Sequence, residues 1–192
     1  MRGQGNKSDK QLTPTEVLQE KGRIAVRRGG LVRLLVSAGA TVACTVVLFG
    51  LLFGIAIVYG NSMNPAFRHN DLVLYSRLGH RGGYNAGDVI ILRAQAEGLR
   101  RYVKRVVAVP GDQVDIVYPG VLVLNGEPIS EPYAVGDTMR MEGIEYPLQL
   151  GAGEYFVMGD NRENSSDSRS FGAITVGHID GRVLAVLRAG HP

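Results

Sequence analysis

Hydrolysing an amide calls for a nucleophile and a base, and this chain offers one distinctive pair. Ser62 lies in Gly60-Asn61-Ser62-Met63-Asn64-Pro65, directly after the only long apolar run. Pro65 stiffens the backbone beyond it, and Gly60 admits close approach of another backbone before it. Lys104 is the only lysine after Lys21; every other strong base from Arg33 onward is arginine. Arginine cannot serve as a base, since its pKa exceeds ~12. Lysine can, if burial draws its pKa of ~10.4 down by up to ~3–5 units. A strand over Arg101–Val109 puts Tyr102, Lys104, Val106 and Ala108 on one face and Arg105 on the other. Such apolar company suits a neutral amine. It suits equally a lysine snorkelling from a β face, and spacing leaves both readings open.

A third constellation is the polar stretch Gly159–Gly172. It holds Asp160, Asn161, Ser165, Ser166, Asp167, Ser168, Arg169 and Ser170. A solvated loop with a capping Asp and an ion pair would look the same. Loops of this length are nonetheless often functional, and its hydroxyls could reach and orient a lysine amine.

Several elements must position these groups. Leu34–Tyr59 carries no charge. As one helix it would measure ~39 Å against a hydrocarbon core of ~30 Å, enough to span with tilt. A cleavable leader would have a shorter apolar region, roughly 7–15 residues, and Val58-Tyr59-Gly60 is a poor cleavage site. A retained transmembrane helix over 34–59 is expected, following a basic segment over 1–33. The basic residues Arg2, Lys7, Lys10, Lys21, Arg23, Arg27, Arg28 and Arg33 all precede the run. That asymmetry places the N-terminus in the cytoplasm and residues 60–192 outside, in a single-pass plasma-membrane arrangement. It reads as a membrane flank, in contact with anionic lipid, rather than a nucleic-acid surface. Met1–Leu12 reads as disordered. Thr13-Pro14-Thr15-Glu16 opens a short helix to about Arg28, with Gly29-Gly30 ending it.

Beyond Gly60 the period becomes strand-like. Strands are expected at Asp71–Tyr75, Asp88–Leu92, Arg101–Val109, Val114–Val117, Val121–Leu124, Glu154–Met158 and Gly181–Leu187. Arg81–Gly87 is a loop, Asn125-Gly126 a tight turn, and no segment keeps a helical period over three turns. The fold class is mainly β: an N-terminal helix, then an antiparallel sheet domain closed or folded over to hide its edges. The lone Cys44 allows no disulfide within the chain. His69, His80, His178 and His191 show no ligand spacing, so no metal or other cofactor is expected. Arg100, Arg101 and Arg105 read as a solvated face.

Together the three segments resemble the sequence boxes of type I signal peptidases. The first is Gly60–Pro65, the second Lys104–Asp112, and the third Gly159–Gly172. They occur in the family's order behind an anchor, and Val123–Tyr133 is similar to the family between the last two. The resemblance implies that Ser62 attacks the scissile carbonyl and that neutral Lys104 takes its proton. It implies that Ser165 orients the lysine and that Asp167 and Arg169 brace the site, with Asp160 and Asn161 supporting. The backbone N–H of Ser62 would stabilise the oxyanion. Family members often carry a hydroxyl donor two residues earlier; here that residue is Gly60, as in many single-anchor Gram-positive relatives, so the second donor is unidentified. Ala66 stands where the family usually has threonine. The implied substrates are precursor proteins with signal peptides, cut after small residues of Ala-X-Ala type. Tyr59, Gly60 and Met63 would line the pockets, and the secretion machinery is an implied partner.

Three other readings compete. A mitochondrial inner-membrane peptidase shares the superfamily. A self-cleaving repressor would carry a DNA-binding domain, for which the chain has no room. An inactive anchored β domain that binds exported chains would lack catalytic groups, all of which are present here.

Overall fold

The computed structural model describes residues 14–78, 82–93 and 101–188. Met1–Leu12 and His191 lie outside the described residues, as do His80, Arg81 and Arg100. The chain forms two compact units, Met1–Phe49 and Gly50–Pro192.

One helix, α1, runs from Pro14 to Leu52 without a break. Two features differ from expectation. Gly29-Gly30 does not end the helix, because adding residues to an established helix is cheap and a glycine costs only ~1 kcal/mol. At the other end, the helix expected to continue through Tyr59 stops at Leu52. The next five residues form strand β1, Phe53–Ile57. They pair antiparallel with β2, Leu72–Ser76, in unbroken register from Phe53↔Ser76 to Ile57↔Leu72. An apolar run alone cannot distinguish a helix from a strand, and here pairing with β2 decides it. The portion long and apolar enough to cross a membrane is Gly30–Leu52, 23 residues. At ~1.5 Å per residue that still exceeds the hydrocarbon thickness.

The second unit is antiparallel β. The remaining strands are β3 (Val89–Arg93), β4 (Arg101–Ala108), β5 (Gln113–Val117), β6 (Val121–Leu124) and β7 (Glu127–Pro128). They continue with β8 (Leu148–Gln149), β9 (Glu154–Met158), β10 (Ile174–Thr175) and β11 (Ile179–Leu187). A four-residue helix, α2 (Ser168–Phe171), interrupts the polar loop. Seven strands form one sheet in the order β1-β2-β11-β3-β4-β9-β10, and four form another in the order β7-β6-β5-β8. Asn125 and Gly126, with φ of 52° and 87°, turn β6 into β7 as the sequence indicated.

Strand β4 is central, and its side chains feed three apolar clusters. Val106 packs with Ile90, Tyr155, Val157 and Ile179. Val107 and Ala108 join Phe156 and Met158 against Val114, Ile116 and Leu122 of the smaller sheet. Val103 meets Val58, Met63, Phe67, Val73 and Ile91. The expectation that Ala108 shares the face of Lys104 fails at a bulge, where the β4–β9 register shifts between Val106 and Ala108. One extra residue there turns Ala108 to the face of Val107.

Candidate active site

The turn bearing Ser62 is tied down on both flanks. Val58 N–H donates to the Asp71 carbonyl at 2.9 Å, and Asn70 N–H to the Val58 carbonyl at 2.9 Å. Within the turn, Phe67 N–H reaches the Met63 carbonyl at 2.8 Å. The Asp71 carboxylate accepts from Arg68 N–H at 2.8 Å and from Arg188 Nη2 at 2.9 Å. The bonded Arg188 guanidinium holds its pKa below the ordinary 3.8 despite burial. The Ser62 hydroxyl therefore stands on a fixed backbone, and the residue stays partly exposed.

Strand β4 delivers the amine to it. Lys104 Nζ lies 2.8 Å from Ser62 Oγ and 3.0 Å from Ser165 Oγ. Only 1% of Lys104 is exposed. Burial pulls its pKa from 10.5 to about 8; Asp167 opposes that shift, Arg169 assists it, and Asp160 opposes it weakly. Of the two readings left open by spacing, the buried amine is the one observed.

The Gly159–Gly172 loop wraps this pair. Its first residue must be glycine, since a Cβ there would overlap Ser165 Oγ and the Ser62 carbonyl oxygen. Asn161 N–H donates to that same carbonyl at 3.0 Å. Asp167 and Arg169 are bound through two contacts, Arg169 Nε to Asp167 Oδ1 at 2.9 Å and Nη2 to Oδ2 at 3.0 Å. Asp167 Oδ2 also accepts from Gly159 N–H at 3.0 Å, and Oδ1 accepts from Arg169 N–H, capping α2. Burial disfavours the Asp167 carboxylate, yet the Arg169 bonds and charge, Gly159 N–H and the Ser165 hydroxyl together hold its pKa below 3.8. Of the loop hydroxyls, Ser165 is the one bonded to the amine. Ser168 Oγ accepts from Val157 N–H, Ser170 Oγ donates to the Asp167 carbonyl, and Ser166 faces Ser170.

The sequence reading missed a second set of ion pairs. Arg105, expected on a solvated face, grips Asp160 with Nε–Oδ1 at 2.8 Å and Nη2–Oδ2 at 2.6 Å. Its guanidinium stacks 4.2 Å from the Tyr133 ring. Buried Arg162 binds Glu131 through both terminal nitrogens, at 2.7 and 2.6 Å, and the Gly159 carbonyl through Nε. Val135 N–H donates to the Asp160 carbonyl, and Arg162 N–H donates to the Val135 carbonyl. Segment 131–135 thus latches the start of the loop. The sequence carried no signal for the pairing: Arg105 is adjacent to Lys104 on the opposite face, and the carboxylate that needs its charge, unexposed Asp160, lies 55 residues further on.

A groove of about 870 Å³ opens beside the pair, lined by Ile55, Ala56, Ile57, Tyr59, Gly60, Leu72, Arg101 and Tyr102. Of the three residues expected to contact substrate, Tyr59 and Gly60 line this groove. Met63 does not line it, being 1% exposed and packed in the core with Val58 and Phe67. The turn after Ser62 sends its side chain inward. Among the histidines, His69 Nδ1 accepts from Gly60 N–H at 3.1 Å, and His178 bonds the Thr175 hydroxyl. Among the described residues no group of three or more metal-ligating side chains forms.

Comparison with known proteins gives a consistent picture. The family model for "Signal peptidase, peptidase S26" matches residues 31–188. Signal peptidase I of Bacillus licheniformis is 34% identical over 139 residues, covering 67% of this chain and 73% of that one. Signal peptidase IB of Staphylococcus aureus is 34% identical over 142 residues, covering 66% and 73%. The crystal structure of a signal peptidase I from Enterococcus faecalis is 30% identical, covers 53% of this chain and 97% of that chain, and superposes with a TM-score of 0.44.

Proposed function

The chain belongs to the signal peptidase family, peptidase S26, and its activity is signal-peptide cleavage; on that premise we propose that Ser62 and Lys104 are the catalytic dyad. The observation that carries this reading is an amine 2.8 Å from a serine hydroxyl while 1% exposed.

That contact supports the following steps. The ammonium form of Lys104 donates to Ser62 Oγ; once it loses its proton, the same contact lets the serine hydroxyl donate to nitrogen. As Oγ attacks the scissile carbonyl, its proton passes to Nζ. Lys104 then gives that proton to the leaving amine, releasing the mature chain and an acyl ester on Ser62. Water attacks the ester, its proton again goes to Nζ, and Oγ recovers it when the signal peptide departs. Ser62 N–H supports the oxyanion, an interaction worth ~10²–10³ in rate at comparable sites. Ser165 fixes the amine, while Asp167, Arg169, Asp160 and Asn161 hold the loop that carries it. The substrate lies extended in the groove, adding to the β1 edge, with Ala-X-Ala-type residues at the cut. The anchor crosses the plasma membrane at Gly30–Leu52, leaving the β unit outside near lipid and the secretion machinery.

The pH profile tests this reading. The active form is the neutral amine, so kcat/KM rises with pH. With the lysine pKa at about 8, cleavage should climb roughly tenfold between about pH 7 and pH 9, then level off. A flat profile over that range, with chemistry limiting, would rule the lysine out as base.

A further inference from the structure

Among the described residues, the groove beside the proposed dyad is lined by an apolar wall and one charged residue. Ile55 and Ile57 present apolar side chains from β1, and Arg101 faces them from the start of β4. Arg101 is 51% exposed and bonds Asp180 Oδ2 through Nε at 2.8 Å. Arg93, its cross-strand neighbour, takes Asp180 Oδ1 at 2.9 Å. Among the described residues one carboxylate therefore serves two guanidinium groups, leaving a positive charge over.

Direction follows from chain order, and it rests on the peptidase reading above. Strands β1 and β4 both run toward the dyad, ending near Ser62 and passing through Lys104. The apolar part of a signal peptide must return toward the membrane, and β1 follows the apolar helix directly in sequence. A precursor is therefore oriented parallel to β1, with residues before the cut lying back toward Arg101. Arg101 precedes Lys104 by three positions, ~10 Å along a strand. An extended substrate covers that distance in about three residues.

We infer that Arg101 is a specificity-determining residue whose guanidinium disfavours a basic side chain, and favours an acidic one, about three to five residues before the scissile bond. Asp180 is a positioning residue that moderates this charge by sharing itself between Arg101 and Arg93.

The test compares precursor peptides identical except for Lys, Gln or Glu at the fourth residue before the cut. Each is cleaved by the full chain in nonionic detergent, and the Glu/Lys ratio of kcat/KM is read within each variant. For partly exposed charges, the natural chain should show a ratio of about three- to tenfold, shrinking at high salt. Arg101→Gln should bring the ratio near one, and Asp180→Asn should widen it. If Arg101→Gln fails to fold, the opposite shift in Asp180→Asn still decides the matter. Ratios equal in all three proteins, or near one in the natural chain, overturn the inference and leave the peptidase reading standing. If the natural chain cuts none of the peptides above a Ser62→Ala blank, the peptidase reading falls and this inference with it.

Discussion

Exchanging Lys104 for methionine is expected to lower kcat/KM on the order of 10⁴-fold while leaving the domain folded, and more stable at neutral pH. The loss follows from the role proposed for Nζ in both directions of proton transfer. Ser62→Ala should cost as much, and the double variant no more than either, if the two act as one unit as proposed. Peptide-cleavage assays of the full chain measure all three. The gain in stability has a separate cause. Burial holds the folded-state pKa of Lys104 at about 8 rather than 10.5. Between those values the unfolded chain binds more protons than the folded one, so the natural chain gains stability as pH rises through the window. The favourable contribution is complete above 10.5 and lost as pH falls through 8, a difference of roughly 3 kcal/mol. Methionine fills the same space without a charge. Urea unfolding should find the variant more stable by up to roughly that amount at pH 7, with the gap closing at high pH. Equal stability at pH 7, or substantial activity in the folded variant, would contradict the buried-base account.

Asp167→Ala should destabilise the β unit by about 3–5 kcal/mol. The substitution strands the Arg169 guanidinium, 1% exposed, and takes the acceptor from Gly159 N–H. Part of the Arg169 bonding survives, since Nη2 also reaches the Arg162 carbonyl at 2.6 Å. Asp167→Asn keeps an oxygen for Gly159 and isolates the charge effect. The Asp167 anion favours the ammonium form of Lys104. Removing that charge should lower the lysine pKa further and move the rising limb of the pH–rate profile to lower pH. Movement to higher pH would show that the charge does not act on the lysine as described. The carboxylate's own contribution to stability depends on acid in the same direction as the lysine's, over a lower pH range. Its pKa is held below 3.8, so that contribution is complete above that value and disappears as pH falls through the folded-state pKa.

Residue types and order alone determined much of this protein. A single lysine in an arginine-only stretch, a serine after the apolar run, and a Ser/Asp/Arg-rich loop singled out candidate groups, and it was the resemblance to the family's three boxes that gave them proposed roles. Most strands were equally legible, since β-branched runs bounded by Pro and Gly leave little choice. Tertiary structure decided what depends on distant partners. Phe53–Ile57 is a strand because β2 pairs with it. Ala108 leaves the lysine face because β9 forces a bulge, and Met63 enters the core because its turn points that way. Arg105 and Arg162 look like solvent-facing charges until Asp160 and Glu131 are placed against them. The pKa of Lys104 is the clearest case. A lysine carries the same amine everywhere, and only the packed chain around it removes the water that would keep it charged.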